Sequence, residues 1–345
     1  MSSRQGQAGS VVGSGRHSGA VARLAVRLSP TDVGRRVTIR HRLDADTLTD
    51  VVGALVSWDG GWGGELVVER RDGSRAVVPA ARIVAARVVP PEISAEALQE
   101  VAQAGWPPAE TAPLGDWTLR AGPDGTGRTG SVRVAGRPDR PLPETLDAVS
   151  RWYADRGRSP LLQVPAPSAY DEDLDALGWS VTRRTLLRTA PLGEVLARSA
   201  DRPIEGLVVT RTAEPGHEWL ALVEPELDPA ALARVLTAPR EVVVVEVRDA
   251  ASGDLLGTGR ASAAASAVGR WAGITSIATA PAGRRRGVAT RVMHELASWA
   301  TDAGCTRAYL QVLEDNEPAR SLYDRLGFDV HHRYEYRSPN GAVRP

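Results

Sequence analysis

The sequence predicts an α/β protein preceded by a small β-rich unit, and three patterns lead to this fold class. Short alternating apolar runs fill residues 33–89, and a period of two is typical of strands. From residue 95 onward, amphipathic stretches with a helical period separate strand-like runs. Two segments of this second part are also similar to each other, which predicts a duplicated unit.

The composition limits the classes of protein to which the chain can belong. Its 345 residues, 42% hydrophobic and 24% charged, are typical of a folded soluble protein of two or three domains without a membrane span. Because 42 basic residues balance 42 acidic ones, a general nucleic-acid or membrane-surface binder is not expected. The only cysteine, Cys305, cannot form an internal disulfide, so a cytoplasmic protein with a buried structural thiol is predicted.

Residues 29–90 are predicted to form a small SH3-like β-barrel. Asp72-Gly73 is a hairpin signal, and Pro90-Pro91 closes the unit. A β-sandwich would need about 100 residues, which favours the smaller barrel. The predicted strands are residues 37–39, 51–57, 66–68, 76–78 and 83–89. Residues 1–28, rich in Ser, Gly and Arg at their start, are predicted to be a disordered leader rather than a targeting peptide.

The chain beyond the barrel is predicted to contain two related halves, 91–200 and 201–345. Residues 175–189 match residues 324–338 at the Asp, Leu, Gly, Val and two Arg positions. Leu-Gln-Val occurs at the corresponding place upstream in both halves. Coincidence in a biased composition is the alternative. In the first half, residues 95–104 and 142–156 are predicted helices.

A strand, a tight loop and a helix follow one another from Trp271. The apolar run 271–279 ends before Pro281, and a helical period of apolar residues begins at Ala289. At such a junction, free backbone amides and the helix dipole can hold a pyrophosphate. Gly287 keeps side chains away from that position, and Arg284–Arg286 supply positive charge. The alternative is an ordinary connection with its arginines in solvent.

A second helix and a final strand complete the chain. Residues 307–313 are predicted to form a strand, and Asn316 opens a short helix that Gly327 ends. The final strand is predicted over residues 328–337. Alternation along it predicts that five side chains share one face: Phe328, Val330, His332, Tyr334 and Tyr336.

Two motifs in this part resemble signatures of the GNAT acetyltransferases. They are Arg284-x-x-Gly287-x-Ala289 and Asn316-x-x-Ala319-x-x-x-Tyr323-x-x-x-Gly327-Phe328. They occur in the family's order and cover roughly residues 270–337. The resemblance implies an α+β GNAT fold, with a mixed sheet and helices on both faces, arranged as tandem halves after the barrel. It also implies a transfer of an acetyl group from acetyl-CoA to an amine.

The resemblance further implies roles for individual residues. Tyr323 would protonate the departing thiolate as general acid, and Asn316 would hold the cofactor or the tetrahedral intermediate. Arg284 and Ala319 belong to the cofactor site through the motifs. The strand residues implied to bind the pantetheine arm are Ile277, Ala278 and Thr279. The loop residues implied to bind the pyrophosphate are Arg285, Arg286, Gly287, Val288, Ala289 and Thr290.

Each role has an alternative, and the general base is open. Tyr323 is alternatively a core tyrosine, and Asn316 a helix N-cap. The predicted strand 271–280 lacks the acidic residue that many GNAT members carry there. The substitutes considered are Glu246, Glu314, Asp315, His331 and His332, the two histidines being expected on opposite faces of the last strand. No spacing of His, Cys and Asp indicates a metal site.

The first half differs from the second at the phosphate-binding position. The corresponding segment, residues 137–143, lacks the key glycine and contains three prolines, which have no amide hydrogen to donate. Residues 91–200 are therefore expected to be a degenerate GNAT-like half without CoA, packed on the active half and walling the acceptor pocket.

The whole arrangement resembles a group of actinobacterial proteins described as corynebacterial-type N-acetylglutamate synthases or as histone-like acetyltransferases. The resemblance implies an N-acetyltransferase acting on a primary amine, with glutamate as the most specific candidate. The rivals are a protein-lysine acetyltransferase and a non-catalytic acyl-CoA sensor. Two roles are open for the barrel: binding a peptide, or capping the catalytic core.

Overall fold

A computed structural model describes residues 26–44, 47–58, 63–70, 74–89, 93–123, 125–199 and 205–340. The chain divides into two compact units, residues 1–92 and 93–345. The predicted leader lies largely outside the described residues, as do Asp72-Gly73 and Pro90-Pro91. Both predicted GNAT halves fall within the second unit, and their boundary at residue 200 stays a prediction.

The first unit is a six-stranded sheet, and the five predicted strands are confirmed. The strands are β1 (Val26–Arg27), β2 (Arg36–Arg42), β3 (Leu48–Trp58), β4 (Glu65–Glu69), β5 (Arg75–Pro79) and β6 (Ile83–Val88). They lie in the order β1-β6-β2-β3-β4-β5, with short 3-10 helices at Pro30–Asp32 and Ala80–Arg82. Alternate residues such as Val37, Ile39 and Leu55 form the core, as period-two patterning requires.

The second unit contains eleven strands and eight helices among the described residues, and the predicted α/β class is confirmed. Its first part has α1 (Ala95–Gly105), β7 (Glu110–Leu114), β8 (Trp117–Ala121), β9 (Val132–Arg133), α2 (Leu142–Ala154), β10 (Leu162–Ala166), α3 (Asp171–Ala176), β11 (Trp179–Pro191) and α4 (Leu192–Arg198). Its second part has β12 (Leu207–Thr212), α5 (His217–Val223), α6 (Pro229–Thr237), β13 (Val242–Asp249), β14 (Leu255–Ser266), β15 (Gly269–Thr279), α7 (Val288–Asp302), β16 (Arg307–Leu313), α8 (Glu317–Arg325) and β17 (Asp329–Pro339). A 3-10 helix, Pro281–Gly283, precedes α7.

All eleven strands belong to one sheet, in which the two halves exchange their last strands. The order is β12-β13-β14-β15-β16-β11-β17-β10-β9-β8-β7. The first half's last strand, β11, pairs with β16 of the second half, whereas β17 pairs with β10 of the first. β11 and β17 pair antiparallel at the centre. The two halves therefore share a continuous backbone hydrogen-bond ladder.

The internal repeat corresponds to a reciprocal pair of buried arginines at this exchange. Arg337 of β17 is 4% exposed and reaches the first half, where its Nη1 lies 2.6 Å from an Asp175 carboxylate oxygen. Arg188 of β11 occupies the matching position and pairs with Asp324 of the second half. Arg337 also donates to the backbone carbonyl of Trp179, where β11 begins. Arg188 donates to the backbone carbonyl of Phe328, just before β17. We call these four side chains the arginine clasp.

Helices cover both faces of the second half's part of the sheet, as predicted. On β13, Val243 and Val245 belong to the core cluster that contains α7, while Val244 between them packs with α5 and α6. α7 lies very close to the sheet because β14 carries Gly257 and Gly259. A Cβ added at Gly257 would lie 2.3 Å from Val288 Cγ1. Because these glycines have no side chain, α7 and the loop that precedes it can lie close to the sheet.

A β-bulge in β17 makes the predicted face of the last strand partly wrong. Leu187 pairs with His332, but the next residue, Arg188, pairs with Val330, so His331 is an extra residue on β17. An extra residue interrupts alternation. Val330 is accordingly 45% exposed, whereas His331 is buried. The histidines do not lie on opposite faces, because their Nδ1 atoms are 2.8 Å apart.

Candidate active site

The central feature of the second half is a wedge between β15 and β16. These parallel strands pair from Trp271 to Ile274 only. At the next positions β15 is irregular relative to β14, and Ser276 has a positive φ of 58°. Residues 277–279, predicted to bind the pantetheine arm, then follow β14 alone. Their edge toward β16 therefore has free backbone groups for an extended ligand.

The loop at the end of the wedge has the features of an anion-binding site. Gly287 is the N-cap of α7 with φ of +78°, a conformation that favours glycine. Within the described chain, the amides of residues 285–290 donate no hydrogen bond. α7 has 15 residues, so its dipole adds positive potential at this end. The loop therefore fits the pyrophosphate of a CoA-type cofactor.

The loop arginines lie at the surface of this site. Arg284, Arg285 and Arg286 are exposed, as their predicted role as countercharges requires. Arg286 also pairs with Asp249, its Nη2 lying 3.2 Å from a carboxylate oxygen. Arg285 has a positive φ of 59°, which a non-glycine residue adopts at some cost in strain. The loop is thus held in an uncommon backbone conformation.

Tyr323 lies on the buried side of α8. It is 7% exposed, and its ring packs against Phe328 with centroids 5.9 Å apart. Burial raises the pKa of Tyr323 to about 12, although the charges of Arg128 and Arg188 oppose this shift. Its hydroxyl has no hydrogen-bond partner among the described residues. The tyrosine is therefore both a core residue and a protonated phenol without an internal acceptor.

Asn316 is the N-cap of α8, as its alternative role predicted. Its Oδ1 accepts a hydrogen bond of 3.2 Å from the amide of Ala319. Ala319 is half-buried against the core, whereas Asn316 is exposed. Capping uses the side-chain oxygen only, so the NH₂ group remains a donor for a ligand. Its proposed role toward the cofactor stays a prediction.

Two of the three acids considered as general bases, Glu246 and Glu314, form ion pairs, and the third, Asp315, lines a groove beside the cavity described next. Glu246 lies 2.9 Å from Arg248 Nη2, on the face of the sheet that α5 covers. Glu314 lies 3.6 Å from Arg333 Nε. His331 contacts the carbonyl of Ile93, with Nε2 2.9 Å from the oxygen. None of these side chains reaches the cavity described next.

A cavity of about 330 Å³ lies beside the part of β16 that has separated from β15; we call it the central cavity. The second half contributes Glu224, Leu227, Gln311, Leu313, Tyr334 and Tyr336 to its lining. The first half contributes Gly125, Thr126, Gly127, Arg128, Arg183 and Thr185. The first half thus lines part of this cavity, and its expected role as a wall of the acceptor pocket stays a prediction. Strand exchange is the cause, because it places β11 beside β16.

The charged side chains that line the central cavity are two arginines and one glutamate. Arg128 donates to Gln311 Oε1 at 3.1 Å and lies over the ring of Trp106. Arg183 lies 5.1 Å from the ring centroid of Tyr336, and it has no carboxylate partner within the described residues. Glu224, the residue after α5, is the carboxylate of the lining. The cavity can thus contact a ligand that carries both charges.

Gln311 connects the central cavity to the core of the sheet. Its Oε1 also accepts from the hydroxyl of Tyr334, at 3.1 Å. Burial raises the pKa of Tyr334 well above its ordinary value, so this tyrosine acts as a neutral donor. In the sequence, the only signal at Gln311 is the repeated Leu-Gln-Val. Glu224, Arg128 and Arg183 were not identified from sequence, because they lie on loops and a strand of both halves without a shared motif.

Arg260 positions the elements around this cavity. It is fully buried on β14, and its guanidinium donates to the carbonyls of Leu236 at 2.7 Å and Gly105 at 3.0 Å. These carbonyls lie at the C-terminal ends of α6 and α1, where the helix dipoles favour a cation. Burial lowers the pKa of Arg260 to about 10. The arginine therefore fixes both helices to the sheet.

The phosphate-binding arrangement is not repeated in the first half. Pro138 and Pro141 precede α2 and Pro143 lies in its first turn, and none of these prolines has an amide hydrogen. The amide of Arg137 donates to Asp116 at 2.8 Å. That residues 91–200 are a degenerate half without CoA stays a prediction.

Among the residues that the structure describes, there is little support for a cysteine nucleophile, a metal site or a membrane span. Cys305 is buried, and burial raises the pKa of its thiol. Its predicted structural role agrees with this environment. The described residues hold no cluster of three or more His, Cys, Asp or Glu side chains suited to a metal ion. Among the described helices, none combines the length and apolar character that a membrane span needs.

Family models match both units of the chain. The model described as the C-terminal part of the probable histone acetyltransferase Rv0428c matches residues 94–337, more than half of the chain. The chain belongs to this family. The model described as the Rv0428c N-terminal Sm-like domain matches residues 31–87, so the first unit is Sm-like.

Relatives of the family agree with this assignment. The probable histone acetyltransferase Rv0428c of Mycobacterium tuberculosis is 31% identical over 324 residues, 88% of this chain and 94% of its own. The uncharacterized N-acetyltransferase YobR of Bacillus subtilis is 25% identical over 248 residues, 70% of this chain and 96% of its own. A solved GCN5-related N-acetyltransferase from Kribbella flavida has a TM-score of 0.56 at 16% identity, over 73% of this chain and 98% of its own, and shows the same fold. This Rv0428c-family chain is therefore a tandem GNAT N-acetyltransferase that uses an acyl-CoA and an amine acceptor.

Proposed function

We propose that the chain transfers an acetyl group from acetyl-CoA to the amine of a small acceptor that carries carboxylates, with glutamate as the candidate. The observation that supports this proposal is the central cavity, where Glu224 lies in one lining with Arg128 and Arg183. Its volume of about 330 Å³ is at the small end of ligand pockets, which span about 300–1,000 Å³. Two guanidinium groups suit two carboxylates, and Glu224 suits the ammonium group.

The residues of the wedge and the central cavity have complementary tasks in this reaction. Bound acetyl-CoA supplies a thioester. The amides of residues 285–290 hold its pyrophosphate, and Asn316 donates to the cofactor through its NH₂ group. Glu224 accepts a proton from the ammonium group, and the neutral amine attacks the thioester carbonyl to form the new C–N bond. As the C–S bond breaks, Tyr323 gives its proton to the thiolate, and the second proton of the amine passes to solvent, which also restores Glu224 and Tyr323.

Arg183 is the residue of the cavity best suited to select the acceptor. Its guanidinium lies beside the ring of Tyr336 and lacks a carboxylate partner in the described chain. Arg128, by contrast, already donates to the neutral Gln311. An acceptor carboxylate at Arg183 gains a charge-assisted hydrogen bond without breaking an internal ion pair.

A protein-lysine acceptor is the second candidate, and a neighbouring groove favours it. This side groove, of about 450 Å³, shares Arg183 and Leu313 with the central cavity. Arg184, Glu314 and Asp315 also line it. An extended peptide in the side groove could place a lysine in the central cavity. The name of the Mycobacterium tuberculosis relative also gives a histone as its substrate.

The experiment is thiol release from acetyl-CoA with glutamate, other amino acids, polyamines, aminoglycosides and lysine peptides, with calorimetric CoA binding in parallel. We expect saturable turnover with glutamate, and Arg183→Gln should raise its KM about tenfold or more through the lost charged hydrogen bond. Arg184→Gln is the matched control, since Arg184 pairs with Glu335 outside the cavity, and it should leave KM unchanged.

Other outcomes of the panel separate the alternatives. Turnover confined to lysine peptides would assign the side groove to a protein substrate and overturn the glutamate proposal. CoA binding without turnover of any acceptor would favour the sensor hypothesis, in which the small β unit transmits the signal. Turnover of glutamate with an unchanged KM in Arg183→Gln would remove Arg183 from acceptor recognition.

A further inference from the structure

A second cavity, partly open to solvent, lies in the first half, away from the phosphate loop. This first-half cavity has a volume of about 200 Å³ and lies where β9 and β10 separate. The two strands pair at only two positions, the second of which joins Arg133 to Gln163. It is therefore the counterpart of the wedge between β15 and β16. Its apolar lining consists of Ala95, Val134, Ala135, Pro165 and the ring of Tyr334.

Arg133 gives the first-half cavity an incompletely neutralised cation. The side chain is 13% exposed, and Nε and Nη1 are buried without a hydrogen-bond partner in the described chain. Its ion pair with Glu100 is long, at 3.8 Å, and Glu100 is 62% exposed to solvent. A pair of this kind contributes little. Glu96, also in the lining, is exposed as well, so solvent screens its charge.

The remaining polar lining is already hydrogen-bonded internally. Gln163 donates to Gln99 Oε1 at 3.0 Å, and Gln99 Nε2 lies 2.9 Å from His332 Nε2. These groups form a hydrogen-bonded row beside the cation. A ligand in this cavity therefore meets one charge that lacks a counterion, Arg133, and otherwise mainly apolar surface.

Residues 137–143, next to this cavity in the sequence, are unsuited to hold a CoA-type ligand. Three prolines remove amide donors from residues 137–143, and Asp116 uses the amide of Arg137. A pyrophosphate would have no cradle there. The volume is also below the usual range for sites of drug-sized ligands, about 300–1,000 Å³. The ligand must then be small, singly anionic and mostly apolar.

We propose that the first-half cavity binds a small apolar monocarboxylate that regulates the acceptor site. Its carboxylate pairs with Arg133, and its hydrocarbon part packs on Pro165 and Tyr334. Tyr334 lines both this cavity and the central cavity, and its hydroxyl donates to Gln311. A ligand against the ring therefore shares a wall with the acceptor, and it should change the acceptor's KM.

The test uses isovalerate as the probe and its neutral amide, isovaleramide, as the matched ligand control. Calorimetry on the full chain without CoA should show isovalerate binding and at least tenfold weaker isovaleramide binding, the loss expected for a charged hydrogen bond. Arg133→Gln should abolish the isovalerate signal. Ala135→Leu, which fills the cavity without removing a charge, should do the same. Arg140→Gln, an exposed arginine paired with Asp139, should retain it.

The outcomes that overturn the proposal are distinct from failure of the acetyltransferase proposal, because binding is measured without catalysis. No isovalerate binding at millimolar concentration, equal binding of isovaleramide, or full binding by Arg133→Gln would each overturn it. Loss of binding in Arg183→Gln, or displacement by CoA, would place isovalerate in the acceptor site or the wedge and would also overturn it. Thermal unfolding of each variant confirms that loss of binding is not loss of fold.

Discussion

Tyr323 combines burial with a hydroxyl that has no acceptor among the described residues, and both features bear on its proposed role as general acid. Burial raises its pKa to about 12, while an ordinary thiol has a pKa near about 8.5. The phenol therefore stays protonated throughout the range in which an amine acceptor becomes neutral. The proton is therefore available at the hydroxyl, although its transfer to a thiolate, which is a weaker base than this phenolate, is uphill in this environment.

Tyr323→Phe tests this role. We expect kcat to fall about 100-fold or more, because general acid catalysis is typically worth about 10²–10⁴-fold. The Kd for CoA should change less than about twofold, since the ring and its packing remain. Thiol release and calorimetry measure the two quantities. Tyr170→Phe, which removes a hydroxyl bonded to the Gly136 carbonyl in the first half, is the control. Unchanged turnover in Tyr323→Phe would remove the tyrosine from the mechanism.

Glu224 predicts a specific dependence of the rate on pH. Glu224→Gln should lower kcat/KM about 100-fold at neutral pH, where the acceptor is an ammonium ion and needs a base. The deficit should shrink as the pH rises, because the free amine then forms in solution without Glu224. Glu226→Gln, two residues along the same loop and outside the cavity lining, is the matched control. A deficit that is constant across pH would indicate that Glu224 only binds the acceptor.

Some site residues could be predicted from sequence, and others could not, for a physical reason. Tyr323 and Gly287 lie in motifs whose spacing is set by one loop and one helix, so local sequence identifies them. Glu224, Arg128 and Arg183 come together only through the tertiary fold. Glu246 was considered because of its strand, but its side chain points to Arg248. A residue's strand can be predicted from a pattern, whereas its partner across the fold cannot.

At the scale of elements, the loop before α7 depends on a single backbone conformation. Gly287 has φ of +78° at the N-cap, and Val288 after it is buried against Gly257. A β-branched residue at Gly287 is strained in this region of φ. The helix end would have to shift, and the amides of residues 285–290 would no longer converge.

Gly287→Val should therefore impair only ligands that carry the pyrophosphate. We expect kcat/KM with acetyl-CoA to fall about tenfold or more, the loss expected for one or two charged hydrogen bonds. S-acetylpantetheine lacks the pyrophosphate, and its kcat/KM should be nearly unchanged. Comparing the two donors in one assay separates the loop from general damage. An equal loss with both donors would contradict a pyrophosphate role for the loop.

Elements were predicted more reliably than the irregularities within them. The predicted strand 307–313 coincides with β16, and α7, α8 and β15 differ from prediction by a few residues. The bulges at Ser276 and His331 were not predicted. Each depends on register with a neighbouring strand, which a single segment does not contain. The bulge at His331 is also why the expected apolar face of the last strand was partly wrong.

At the scale of the whole molecule, strand exchange could not be predicted from the repeat. The similarity of residues 175–189 to 324–338 predicts two related units, but it is equally compatible with two separate sheets. The structure shows why these segments carry matching Asp and Arg positions: each arginine binds the other half's aspartate. The matching Asp and Arg positions of the repeat therefore form pairs between the halves.

The arginine clasp should make the second unit unfold as one. Arg337→Gln removes a buried guanidinium from Asp171 and Asp175 and leaves the carbonyl of Trp179 without that donor. Because Asp175 is 65% exposed and Asp171 is 33% exposed, solvent screens both carboxylates, and we expect a cost of about 1–3 kcal/mol, that of a lost buried hydrogen-bond donor. Arg188→Gln should cost a similar amount at the opposite end of the exchange. Because β11 and β17 join both halves, either variant should weaken both β10 and β16. Arg198→Gln, in an exposed pair with Glu194, should cost at most about 1 kcal/mol.

Hydrogen exchange measured on peptides distinguishes this coupling from local damage. In both clasp variants, peptides from β10 and β16 should lose protection together and by similar amounts, because opening one half breaks the ladder that the other half shares. If the halves were independent, Arg337→Gln would affect only β10, β17 and α3, and Arg188→Gln only β11, β16 and α8. That result would mean that the shared sheet does not couple the halves. It would also mean that the central cavity can keep its second-half lining when the first half, which forms one of its walls, opens.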